Sequence, residues 1–118
     1  MTEDEVFDKE PSRYLRLSIK DPFLKTTPLV VKVNDSLTII ATVEVKNITK
    51  CKTSISYDHR YFLLKTPSVV RPGGSYSKDV RWKLQALKIS SESLWIEITA
   101  EEEEGGLTQV VGMPVTIS

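Results

Sequence analysis

From Leu37 to Lys46 the chain alternates. Leu37, Ile39, Ala41, Val43 and Val45 fall on one side, while Thr38, Ile40, Thr42, Glu44 and Lys46 fall on the other. A period of two is that of a strand with one face in a core. Tyr76 to Leu84 repeats the pattern, with Tyr76, Val80, Trp82 and Leu84 opposed to Ser75, Ser77, Asp79, Arg81 and Lys83. Lys78 breaks the apolar side and is expected near a sheet edge. A third strand sets Leu94, Ile96, Ile98 and Ala100 inward, which turns Trp95, Glu97, Thr99 and Glu101 outward. In the last strand Val111, Met113, Val115 and Ile117 face in. Gly112 and Pro114 face out, where a missing side chain or N–H suggests a bulge or an edge. Weaker strands are expected at Tyr14–Ile19, Leu29–Val33, Thr53–Tyr57 and Tyr61–Leu64, for seven or eight in all.

Turn chemistry divides these runs: Asp21-Pro22, Asn34-Asp35-Ser36, Asn47-Ile48-Thr49, Arg71-Pro72-Gly73-Gly74 and Gly105-Gly106. No segment carries the helical stripe of a βαβ crossover, and only Gln85–Ser93 has room for a short helical turn between sheets. The chain is rich in Val, Ile and Thr, which suit a pleated surface. The reading is all-β. A lone antiparallel sheet would leave Ile39, Val43, Trp82, Ile96 and Val115 in water at roughly 1.5–3 kcal/mol each, so a second sheet is expected to cover the first. Residues 1–12 are acidic and read as a tail, leaving 13–118 as one domain.

The run from Thr42-Val43-Glu44-Val45-Lys46-Asn47 through Val70-Arg71-Pro72-Gly73-Gly74-Ser75 to Val80-Arg81-Trp82 resembles the bacterial and archaeal immunoglobulin-like modules of the CARDB type. The likeness covers roughly residues 28–118. It departs from the family pattern at Ile48, where Gly commonly follows the Asn, and no tandem copy is visible. It implies an immunoglobulin-like, two-sheet antiparallel β-sandwich with a non-catalytic adhesive or spacer role.

At 118 residues the chain fits a single domain. Sixteen Lys and Arg balance sixteen Asp and Glu, so it lacks the basic field of a non-specific nucleic-acid binder. With Cys51 alone there is no intrachain disulfide. The acidic start Met1-Thr2-Glu3-Asp4-Glu5 is unlike a signal peptide, and no apolar run approaches a membrane span. If Met1 is the native start the expected compartment is the cytoplasm; an excised domain would fit a cell-surface or extracellular protein. Asn and Gln are confined to Asn34, Asn47, Gln85 and Gln109 beside abundant Lys, Glu, Ile and Val, a balance seen in heat-adapted proteins.

Candidate chemistry is sparse. His59 reads as a turn residue between Asp58 and Arg60, and Cys51 as a small residue at a strand start. No orienting group or oxyanion loop makes a pair of them. Neither a Gly-x-Ser-x-Gly elbow nor a phosphate loop occurs. One Cys and one His do not make a four-ligand zinc site. Asn34-Asp35-Ser36 and Asn47-Ile48-Thr49 match glycosylation sequons but fit ordinary turns. No enzyme activity and no cofactor are expected.

Two surface features remain. Glu101, Glu102, Glu103 and Glu104 precede a Gly-Gly turn. Their alternation argues against a calcium loop, and a solvated hairpin tip able to attract a basic partner is the expectation. Trp95 is a large aromatic on an outer face, the kind of residue enriched at binding surfaces. In an immunoglobulin topology it would sit beside Ser54, Ser56 and Val110. The expected function is binding of another protein through this face or the acidic tip, with a homo-oligomer through a face or an edge as one form. Carbohydrate or single-stranded nucleic-acid binding by Trp95, Tyr57 and Tyr61 is an alternative, its nucleic-acid version weakened by the neutral charge.

Overall fold

A computed structural model describes residues 12–21, 29–66, 69–104 and 106–118. Among them the chain is all-β, with no helix. In chain order the strands are β1 (Tyr14–Asp21), β2 (Leu29–Val31), β3 (Ser36–Ile48), β4 (Cys51–Ser56), β5 (Phe62–Leu64), β6 (Val69–Arg71), β7 (Gly74–Ala86), β8 (Leu94–Glu102) and β9 (Thr108–Ile117). They form a four-stranded sheet in the order β1-β3-β7-β5 and a five-stranded sheet in the order β2-β9-β8-β4-β6. The expected tail lies outside the described residues apart from Ser12.

The two inner faces meet over one core. Ile39, Ala41 and Val43 of β3 and Val80, Trp82 and Leu84 of β7 come from one side; Ile96, Ile98 and Ala100 of β8 and Met113, Val115 and Ile117 of β9 come from the other. All are inaccessible or nearly so, and the alternation read from the sequence sets which of them face in. Trp82 is fully buried, and among the described residues its Nε1 has no hydrogen-bond partner. That orphan costs about 1–3 kcal/mol. An aromatic ring of this class removes roughly 150–250 Å² from water, or about 4–6 kcal/mol at ~25 cal/mol per Å². Burial wins.

Three expectations are corrected, and a fourth resolves between its alternatives. Among the described residues there are nine strands rather than seven or eight, because Val69–Arg71 pairs with Cys51–Thr53; three residues ahead of a Pro-Gly-Gly turn are too few to show a period. The five-stranded sheet is mixed, since β2 runs parallel to β9. Its ladder is extended by Val33 N donating to Ser118 O and Ser118 N to Val31 O, both 2.9 Å. Alternation encodes faces and carries no information on strand direction. Gln85–Ser93 forms no helical turn. Gln85 and Ala86 complete β7, and the loop after them is pinned by Leu87 N to Tyr61 O at 2.8 Å and Ser90 N to Ile117 O at 3.0 Å. Finally, Gly112 and Pro114 mark no bulge, because β8 and β9 stay in register from Leu94↔Val115 to Glu101↔Thr108. Among the described residues they do lie on an edge, since the described part of β2 pairs with Val115–Ile117 of β9.

Asn47 lies inside β3, where the register with β7 shifts between Val45 and Ile48, and its φ of 51° is the left-handed conformation that Asn tolerates better than most residues. The chain then reverses into β4. Gly73 passes so close that a Cβ on it would stand 2.6 Å from Ile48 O.

Candidate functional site

Trp95 stands on the outer face of the five-stranded sheet with 57% of its surface exposed. Pairing places it opposite Pro114 and places Glu97 opposite Gly112. The indole lies over Gly112, and a Cβ at that position would overlap its Cζ2 and Cε2 atoms. Its Nε1 donates to Glu97 Oε2 at 3.1 Å. A glycine beneath and a carboxylate beside therefore hold an aromatic plate against the sheet with its other side in water. Ser56 pairs with Glu97, whereas Ser54 and Val110 both pair with Thr99. The register thus sets Ser54 and Val110 in a row four residues along β8 from Trp95, roughly 13 Å away at ~3.3 Å per residue. Gly112, Pro114 and Glu97 are neighbours of Trp95; Ser56, opposite Glu97, stands one diagonal step away on β4, whereas Ser54 and Val110, contrary to expectation, are not beside it. Val30, exposed on β2 opposite Thr116, adds apolar surface to the same side of the molecule.

The four-glutamate run divides. Glu101 is exposed on the outer face opposite Lys52, and Glu103 and Glu104 are exposed in the turn. Glu102 continues the inward row of Ile96, Ile98 and Ala100 and is 4% exposed. Its Oε1 accepts a charge-assisted hydrogen bond from Arg13 Nη2. Its Oε2 accepts from Thr49 N at 2.7 Å and Thr49 Oγ1 at 3.2 Å. The Arg13 guanidinium, then the Thr49 amide, hold this carboxyl below the usual glutamate range. Arg13 Nε also reaches Asn47 O at 3.3 Å, and Asn47 Nδ2 donates to Ser12 O at 2.9 Å. Glu102 is therefore the centre of a clasp joining the start of β1, the β3–β4 corner and the β8–β9 hairpin. It is removed from the solvated tip, which keeps Glu101, Glu103 and Glu104.

Cys51 and His59 do not meet. Cys51 opens β4 fully buried, and desolvation pushes its thiol pKa up. His59 is exposed beyond the other end of that strand and stacks on Tyr57 with ring centroids 4.3 Å apart. Next to it Arg60 grips Asp58 at 3.0 and 2.7 Å, which holds the Asp58 carboxyl at about 2. Tyr57 and Tyr61 are half-buried and packed against the core. Both sequon asparagines adopt positive φ, 73° at Asn34 and 51° at Asn47, as turn and bulge residues do. Among the described residues no group of His, Cys, Asp and Glu could hold a metal ion, and no helix is long and apolar enough to cross a membrane.

Sequence reasoning missed one more place. Arg71, Pro72, Tyr76 and Lys78 line a cavity of about 120 Å³ between β6 and the first half of β7. No local motif announces it, because it exists only once the β6 strand is recognised. Comparison with protein-family models and with curated proteins finds no match for the chain.

Proposed function

We propose that this chain is a non-enzymatic protein-binding module, an immunoglobulin-like sandwich of the CARDB type that docks its partner on the outer face of the five-stranded sheet. The observation that carries the reading is Trp95, an indole kept 57% exposed by its seat on Gly112 and its bond to Glu97. A large aromatic held in one orientation loses little conformational entropy on binding and is a frequent hot spot. Glu97 beside the ring favours a partner that brings a Lys or Arg onto the indole face, where cation–π attraction and the carboxylate act together. The exposed Glu101, Glu103 and Glu104 speed the approach of such a basic surface.

The test is capture from native extract, followed by affinity measurement with the purified partner. Trp95→Ala should weaken binding by about 2 kcal/mol or more, on the order of 30-fold. Changing Glu101, Glu103 and Glu104 to Ser should slow association and flatten its salt dependence. Unchanged affinity of Trp95→Ala would reject the face. A spacer role at a cell surface would leave the module without an affinity partner for either variant to lose. Sugar or single-strand binding through aromatics would centre on Trp95, the most exposed of the three, with Tyr57 and Tyr61 half-buried against the core.

A further inference from the structure

Among the described residues the first half of β7 is an open edge. β5 pairs with β7 only at Leu84–Ala86, and Lys83 is the last residue served from that side, its carbonyl accepting from Lys65 N at 2.7 Å and its N–H donating to Thr66 Oγ1 at 3.2 Å. Backbone groups two residues apart on a strand point the same way. Ser77, Asp79 and Arg81 therefore aim their N–H and C=O groups to that open side. Among the described residues a single partner reaches them: Arg71 Nη2, which donates to Asp79 O at 3.2 Å.

Beside this edge lies the cavity lined by Arg71, Pro72, Tyr76 and Lys78. Two of the four are cations and none is an acid. Arg71 Nε is buried there, and among the described residues it has no hydrogen-bond partner. Nε and Nη2 form one side of a guanidinium, the fork that grips a carboxylate with two parallel bonds. At present one tine is orphaned and the other rests on a strand carbonyl. Lys78 sits on the inward side of β7 between Tyr76 and Val80, yet it is exposed, and among the described residues no strand covers it there.

We propose that the open edge of β7 from Ser77 to Arg81 accepts an extended acidic peptide as an added strand, with a carboxylate of that peptide held by Arg71 and Lys78. The peptide's N–H takes over Asp79 O and releases Arg71 Nη2. A residue opposite Lys78 on the new strand points to the same face, about 5 Å away between Cβ atoms, into the cavity where Nε waits. The same charges exclude other occupants. An apolar strand would bury Lys78 unpaired, and a second copy of this edge paired antiparallel about Lys78 would set two ammonium groups side by side. The site is separate from the Trp95 face.

The test uses fluorescein-labelled, capped peptides of alternating threonine and valine with one central glutamate, glutamine or lysine, read by anisotropy on the full chain. The glutamate peptide should bind on the order of tenfold tighter than the glutamine one, as a charge-assisted bond to a buried donor allows. Lys78→Glu should turn the preference toward the lysine peptide. Ser77→Pro removes an N–H that faces the open side and no internal ladder bond, and it should abolish binding. Backbone amide exchange on the unmutated chain gives an independent reading: the N–H groups of Ser77 and Arg81 should slow when the glutamate peptide is added. Trp95→Ala should leave all of this unchanged. Equal affinity for glutamate and glutamine peptides, no binding of either, or unaltered exchange at Ser77 and Arg81 would overturn the proposal.

Discussion

Replacing Gly112 by Ala should move Trp95 without unfolding the protein. The new Cβ would overlap the outer ring atoms of the indole, but that ring is the far end of an exposed side chain and can swing away. Swinging breaks the 3.1 Å bond to Glu97, a loss of about 0.5–1.5 kcal/mol. Alanine in place of a strand glycine returns roughly 0.5–1 kcal/mol. The two nearly cancel, so net stability should change by less than about 1 kcal/mol, or no more than ~4–8 °C in Tm for a domain of this size. Gly73→Ala is the control. There the added carbon would stand 2.6 Å from the backbone oxygen of Ile48, the strand corner itself must shift, and about 1–3 kcal/mol is lost. Circular-dichroism melts give the stabilities. The indole N–H resonance of Trp95 and its acrylamide quenching give the ring position. Gly112→Ala as destabilising as Gly73→Ala, or an indole resonance left in place, would refute the idea that the glycine is there to seat the ring.

Further outcomes follow from the clasp, the bulge and the buried thiol. Glu102 has a lowered folded pKa, so its contribution is full above the ordinary glutamate value of ~4.3 and fades as pH falls through the lowered one. Tm measured down an acid series should therefore drop less steeply in Glu102→Gln than in the native chain, while the native chain is the more stable near neutrality; parallel curves would contradict the clasp. Asn47→Ala puts at φ 51° a residue that tolerates the left-handed region less well than Asn, and removes the bond to Ser12 O. It should cost about 1–2 kcal/mol in a urea titration, with Asn47→Gly closer to native; a larger loss in the glycine variant would contradict the bulge geometry. Cys51 should react with a thiol reagent only at the rate of unfolding, because it is buried and its pKa is raised. Rapid labelling in native buffer would place it elsewhere.

Much of the fold is legible in the chain because faces obey a period of two. β3, β7, β8 and β9 each declare their inward rows, and Trp95 declares itself outward by being out of phase with Ile96 and Ile98. The same rule, carried one residue past Ala100, puts Glu102 inside; grouping it with its acidic neighbours by composition hid that. What periodicity does not carry is the partner of each strand. The parallel pairing of β2, the short β6 and the row shared by Ser54, Val110 and Thr99 all depend on register between distant segments. Gly112 was legible as an outward glycine, but its purpose needs the cross-strand diagonal to Trp95. The cavity at Arg71 and Lys78 needs both sheets in place.

Two tryptophans, one fully buried and one 57% exposed, make the most direct measurement possible. Acrylamide quenching of the free chain should show one accessible indole, and quenching of its complex with the captured partner should show that indole protected. An indole already shielded in the free chain, or one quenched equally in the complex, would contradict the assignment of Trp95 as the docking residue.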